Sequence, residues 1–295
     1  MIAVANMKGG VGKTTTVVML AEGFAAVGMR VLVVDLDAQS NVSYCFAPDD
    51  ALRELYDKRR TITSFLDDRL LRDTKPAIST YIAPNISNVT KAGQALPIDL
   101  IAAHPRLRML EREIIFEFAE KQYGLKALEG RTVKVLQDVL PQLRATYDLI
   151  LFDCAPGISA FTEVAIRLSD LVIVPTIPDF LSTLGFDIFQ TSIWGDLQTK
   201  PSALPKPKRR PAVLATRVDP RKTQHKQVLA EMKEEAGEPD AVFTLFDLVM
   251  HSQAAIERAM DPEQYSAQPT FVQKWGNGIQ LVRDLMDETW RRLND

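Results

Sequence analysis

Eight residues near the start of the chain, Lys8-Gly9-Gly10-Val11-Gly12-Lys13-Thr14-Thr15, bring three glycines, two lysines and two threonines together. Glycines let successive backbone amides turn inward, and a helix that begins there adds partial positive charge, so such a turn cradles phosphate. In a cradle of this kind Lys13 reaches the β and γ phosphates and the Thr14 hydroxyl ligates Mg²⁺. Acids follow at matching places. Asp35-Leu36-Asp37-Ala38-Gln39 sets two carboxylates on one face of a strand. Asp153 closes the apolar run Leu149-Ile150-Leu151-Phe152. An acid at that strand tip can hold a magnesium-bound water beside the phosphate loop.

The flanking elements suit this reading. Ile2-Ala3-Val4-Ala5 reads as a buried strand, and Val17, Val18, Leu20, Ala21, Phe24 and Ala25 recur at helical spacing after the turn. Gly28 is placed to end that helix, and Val31–Val34 make a second buried strand. Between about Ala47 and Pro97 charges alternate in sign on one or two short surface helices, a variable region to which no chemistry is assigned. Ile98–Ala102 reads as a strand. Leu107, Leu110, Ile114, Ile115 and Phe118 share one helix face, and Val133, Val135, Leu136, Val139, Leu140 and Leu143 another. Strands at Leu171–Pro175, Val213–Arg217 and Val242–Phe246 follow, with a helix after Pro178-Asp179 and a last helix striped by Ile279, Val282, Leu285, Met286 and Leu293. Alternating strands and helices without a Gly/Ser linker predict one domain over 1–295. Its fold class is α/β, doubly wound, with a mainly parallel sheet and helices on both faces.

The loop departs from the pattern G-x-x-x-x-G-K-[ST], which needs a glycine where Met7 stands, and it carries an extra lysine, Lys8, at its front. K-G-G-V-G-K-T-T resembles the deviant Walker A motif of the ParA/MinD family of dimerising ATPases. Asp35–Gln39 resembles that family's D-x-D-P-Q motif with Ala38 in place of proline, and Asp153-Cys154-Ala155-Pro156 resembles its switch turn. V-P-T-I-P-D-F-L-S-T-L-G, from Val174 to Gly185, resembles the ParA phrase V-P-V-Q-P-x-x-F-x-x-x-G. The resemblance implies that Lys8 crosses a dimer interface to the partner's nucleotide. It also implies that Asp37 orients the attacking water, that Asp35 supports the magnesium shell, and that the segment around Thr216 and Arg217 meets the adenine. Thr216 would hydrogen-bond the base and Arg217 stack on it. ATP and Mg²⁺ are the implied cofactors.

Composition sets bounds. The 295 residues are 46% hydrophobic and 25% charged, as in a soluble globular protein. Two cysteines, Cys45 and Cys154, make no disulfide framework and suggest a reducing, cytoplasmic setting. The phosphate loop begins at residue 8. That placement predicts no signal peptide and none of the N-terminal helix-turn-helix modules that some ParA proteins carry. No run reaches the length of a membrane-spanning helix. The net charge of −3 does not favour nucleic acid overall. A local patch does: between Lys200 and Lys222 stand Lys200, Lys206, Lys208, Arg209, Arg210, Arg217, Arg221 and Lys222, and Pro201, Pro205, Pro207 and Pro211 extend its first half. Lys206, Lys208, Arg209 and Arg210 are the candidate DNA contacts, with Arg258, Lys274, Arg283 and Arg291 further along. The reading is a ParA-like ATPase that forms an ATP-dependent homodimer, binds DNA without sequence preference and answers to a ParB-like or adaptor partner, without a membrane. It would be cytoplasmic and nucleoid-associated. A MinD-like membrane switch is the alternative, and it lacks the basic amphipathic tail such a switch uses.

Overall fold

A computed structural model describes residues 1–122, 125–195, 204–261 and 268–295. In chain order the elements are β1 (Ile2–Val4), α1 (Lys13–Ala26), β2 (Val31–Leu36), α2 (Asn41–Phe46), α3 (Asp49–Asp57), α4 (Ile62–Leu70), β3 (Thr90–Lys91), β4 (Gln94–Ala95), β5 (Ile98–Ile101) and α5 (Leu107–Glu120). Then come α6 (Leu125–Thr146), β6 (Leu149–Cys154), α7 (Ala160–Leu168), β7 (Leu171–Thr176), α8 (Phe180–Trp194), β8 (Ala212–Val218), α9 (Thr223–Gly237), β9 (Thr244–His251), α10 (Ala254–Ala259), α11 (Phe271–Trp275) and α12 (Ile279–Asn294).

Seven strands form one sheet in the order β5-β2-β6-β1-β7-β8-β9, and each neighbouring pair is parallel. Side chains alternate across it. Ile2, Val4, Val31, Val33, Leu149, Leu151, Leu171 and Ile173 face a core completed by α1, α2, α3, α10, α11 and α12. Ala3, Leu32, Val34, Ile150, Phe152, Val172 and Val174 face a second core built with α4 to α9. Strands buried on both faces explain the continuous apolar runs. The carboxyl ends of β1, β2 and β6 lie side by side, with Val4 opposite Asp153 and Asp35 opposite Asp153, so the loops after them converge. The chain winds from β1 toward β5 and later toward β9, and ligands of open α/β sheets bind where that direction reverses.

Four sequence expectations change. The helix after the phosphate loop is buried on nearly every side, because α12 covers the side turned away from the sheet. The region 47–97 puts Leu52, Leu55, Phe65, Leu66 and Val89 into the two cores, so it is more than surface. Ile115 points outward, 49% exposed, since helical geometry turns it about 100° from buried Ile114. The last strand starts at Thr244 and runs to His251, past the expected Phe246. Its pairing is irregular: Val213 faces Leu245 while Ala215 faces Val249. At this bulge the Glu288 carboxylate of α12 accepts from the amides of Asp247 (2.8 Å) and Leu248 (2.9 Å), and Arg292 donates to the Leu245 carbonyl.

Candidate nucleotide site

The turn between β1 and α1 needs two left-handed residues, and both are glycine, Gly10 at φ 73° and Gly12 at φ 94°. Behind the loop, buried Asn6 donates to the Pro175 carbonyl (2.8 Å) and accepts from the Lys8 amide (3.0 Å), which fixes the loop's front to β7. Lys13 is buried and its ammonium donates to the Lys8 carbonyl at 2.9 Å, spanning the loop from inside. Burial lowers its pKa, against the opposing charges of Asp153 and Asp37.

Lys8 behaves differently. Its ammonium points out of its own cradle and donates to Ser182 Oγ at 2.8 Å, with Asp179 Oδ1 at 3.5 Å, both at the start of α8. The two lysines, five positions apart in sequence, therefore serve separate places.

The acids cluster as the strands dictate. Thr14 Oγ1 donates to Asp153 Oδ2 at 2.8 Å. Asp153 Oδ1 is buried and has no hydrogen-bond partner among the described residues. Burial raises the Asp153 carboxyl well above its usual range, and neighbouring Asp35 adds to this. Burial likewise lifts Asp35 to about 7, opposed by hydrogen bonds from Ser43 and from the Asp37 amide. An orphaned carboxylate oxygen beside a threonine hydroxyl, in a site rich in unneutralised acid, fits a divalent cation with oxygen ligands. Thr14 and Asp153 would hold Mg²⁺, which would neutralise phosphate charge beside Lys13. Asp35 is engaged elsewhere: its Oδ1 accepts from the Asp37 amide (2.9 Å) and its Oδ2 from Ser43 N (3.1 Å) and Ser43 Oγ (2.6 Å). Those bonds shape the loop that carries Asp37, whose own Oδ1 accepts from the Gln39 amide at 2.9 Å.

A cleft of about 440 Å³ opens over the loop, lined by Gly10, Gly12, Lys13, Thr14, Thr15 and Asp37 at one end. Met250, His251, Gln253, Ile256 and Met260 line the other end. This far wall comes from the β9–α10 connection and is missing from the sequence reading, where its apolar residues carry no motif. Thr216 and Arg217 also reach the cleft. The Thr216 hydroxyl donates to the Val11 carbonyl at 2.7 Å, and Arg217 Nη1 to the Gly10 carbonyl at 3.0 Å. Gly9 flanks the loop on the other side, near Pro156. Asn6, Ser43 and Ser182 are the further polar residues that sequence reasoning overlooked. Only the nearness of Asn6 and Ser43 to the two motifs hinted at them.

The four candidate DNA contacts do not line the cleft. Lys206, Lys208, Arg209 and Arg210 are exposed, while Lys200 and Pro201 lie outside the described residues. Lys208 pairs with Asp170, which also meets Arg144 (3.1 Å) and the Met1 amine (2.8 Å). Arg209 donates to the carbonyls of Arg292 and Leu293 at the end of α12. Lys274, proposed as a surface contact, is buried against Glu22 of α1.

The family model described as AAA domain matches residues 1–200, more than half the chain. The chain belongs to the ParA/MinD family of Walker-type ATPases. Among relatives, the chromosome partitioning protein ParA of Caulobacter vibrioides is 30% identical over 188 residues, covering 62% of this chain and 58% of that protein. The chain spans a little under two thirds of the length of the first curated relatives it matches. A plasmid partition protein of Borrelia burgdorferi B31 bound to AMPPNP superposes with a TM-score of 0.67 at 19% identity, covering 99% of this chain and 98% of the other. The structure of pNOB8 ParA bound to nonspecific DNA gives 0.66 at 21% identity, with coverage of 99% and 98%. At these identities the likeness shows the ParA-type fold.

Proposed function

We propose that the chain is a ParA-like ATPase. It binds ATP with Mg²⁺ in the cleft over the phosphate loop and forms a homodimer with two nucleotides sandwiched between the subunits. The dimer binds DNA without sequence preference. A ParB-like or adaptor partner stimulates slow hydrolysis and releases it, so that DNA or a protein cargo is segregated or positioned. This reading places the protein in the cytoplasm, on the nucleoid. The observation that carries it is the placement of Lys8. A lysine at the rim of a phosphate loop whose ammonium leaves its own cradle, toward Ser182 and Asp179, is available to a phosphate from outside its own chain.

Catalysis in this reading is electrostatic. Lys13 and the loop amides offset charge on the transferring phosphoryl group while Asp37 holds water in line, and a cation held by Thr14 and Asp153 would supply further positive charge there. Nonspecific DNA binding would come from exposed cations meeting phosphates, and dimerisation doubles every such patch. The DNA-bound ParA of the same fold supports this part.

Light scattering with and without ATP tests the proposal, with Lys8→Ala and Lys13→Ala as variants. Wild type should go from monomer to dimer on ATP. Lys8→Ala should keep nucleotide binding and lose the dimer or turnover, and Lys13→Ala should lose nucleotide affinity. A Lys8→Ala protein that dimerises and turns over like wild type overturns the assignment.

A further inference from the structure

We infer that the tip of β8 is a clamp that presets the phosphate loop, with Thr216 and Arg217 as positioning residues acting on its backbone. The inference rests on the nucleotide reading above and assigns these two residues a task other than contact with the base.

Thr216 is 2% exposed, and its hydroxyl donates to the Val11 carbonyl at 2.7 Å, across 205 positions of sequence. Its side chain lies against Gly12: a Cβ built there would sit 3.9 Å from the Thr216 methyl. Arg217 holds a left-handed backbone, φ 51°, costly for a residue with a side chain, and its guanidinium donates to the Gly10 carbonyl at 3.0 Å. Two consecutive loop carbonyls are thus drawn toward β8.

A trans peptide is planar, so its carbonyl and the following amide point in opposite directions. Drawing the Gly10 carbonyl toward β8 turns the Val11 amide away from β8, and drawing the Val11 carbonyl turns the Gly12 amide likewise. Neither amide has a hydrogen-bond partner among the described residues. Val11 is fully buried and Gly12 lines the cleft, and two adjacent open amides in a glycine turn form a concave set of donors suited to an anion. Without the clamp, the two left-handed glycines leave these peptides free to rotate, and nucleotide would have to order them on binding. A hydroxyl that donates to Val11 can no longer donate to an adenine ring nitrogen.

Equilibrium titration of ATP, ADP and GTP into wild type, Thr216→Val, Thr216→Ser and Arg217→Gly tests this. Valine keeps the shape and removes the hydroxyl, serine keeps the hydroxyl, and glycine accepts the left-handed backbone without the guanidinium. Thr216→Val should weaken all three nucleotides by the same factor, about tenfold, the scale of a buried carbonyl left unpaired. Thr216→Ser should bind like wild type, and Arg217→Gly should lose a smaller, equally uniform factor. If Thr216→Val changes the ratio of ATP to GTP affinity, the hydroxyl reads the base and the clamp is wrong. Wild-type affinities in both Thr216→Val and Arg217→Gly also overturn it, even if the melting temperature falls. Should Thr216→Val not fold, Arg217→Gly alone decides by the same two criteria. Wild type that binds no nucleotide overturns the reading of the site itself, a result distinct from either failure of the clamp.

Discussion

The ammonium of Lys8 lies 3.5 Å from the Asp179 carboxylate at the N-cap of α8. Asp179 also accepts from the Ser182 amide at 2.8 Å. Partial burial pushes its carboxyl upward, but the bonds from Ser182 and the charge of Lys8 outweigh it and hold the group below the usual range. Reaching a partner's phosphate requires Lys8 to leave this contact. Asparagine caps a helix as well as aspartate and carries no charge, so Asp179→Asn should lower the ATP concentration for half-maximal dimerisation by about twofold to fivefold. A higher requirement than wild type, read by light scattering, would show that Asp179 helps the dimer.

Asp37 carries the water-positioning assignment, and its loop is held by Asp35 and Ser43. Asp37→Ala should cut steady-state turnover by about a hundredfold or more while nucleotide affinity stays near wild type. The variant should accumulate as the ATP dimer. Unchanged turnover in a phosphate-release assay would assign the water to another residue.

Asp170 links three cations, Lys208, Arg144 and the Met1 amine. Burial raises this carboxyl, but the bonds from Lys208 and the amine, with their charges, hold it net below its ordinary range. Asp170→Asn should release Lys208 and Arg144, strengthening random-sequence DNA binding about twofold to tenfold. Every further DNA phosphate that a freed cation neutralises steepens the log–log salt slope by about 0.9. The same variant should lose about 1–2 kcal/mol of stability at pH 7. A depressed carboxyl pKa stabilises above the ordinary carboxylate range and ceases to as pH falls through the folded value. The stability gap in urea should therefore be full above about pH 5 and close in stronger acid. A gap that widens on acidification contradicts the assignment.

Glu22 of α1 is fully buried and accepts from Lys274 and from Trp275 Nε1 (2.7 Å). Lys274→Met strands that carboxylate and should cost about 3–5 kcal/mol. Adding Glu22→Gln should recover much of it. Denaturant midpoints of the two single variants and the double variant measure the coupling, and a zero coupling energy removes the pair from the account.

What the sequence discloses is what lies close together along it. The strand, loop and helix from Ile2 to Ala26 are contiguous, so glycine spacing and apolar period are enough to place these three elements. Asp35 and Asp153 are legible because each ends an apolar run, and Asp37 because it stands two residues beyond Asp35. Thr216, by contrast, meets Val11 from two strands away and 205 positions along the chain, and no local pattern carries that pairing. Lys274 reads as a surface cation because charge alone says nothing of a buried partner 252 positions away. The misplaced last strand has a similar cause: β9 is an edge strand interrupted by a bulge, so its burial lacks the alternation that marks a strand.

That same edge has a consequence for solubility. An outer strand with open amides and carbonyls is a template on which another chain can add itself indefinitely. Here Glu288 and Arg292, one helical turn apart on α12, occupy the Asp247 and Leu248 amides and the Leu245 carbonyl with side chains. At this bulge a carboxylate and a guanidinium stand in for the missing neighbour. Under the proposed function this matters, since a molecule gathered at high local density on DNA would otherwise polymerise through its sheets. Blunting the edge at this point disfavours pairing through the sheet, and in the same reading copies meet instead at the nucleotide face, where hydrolysis would undo the contact.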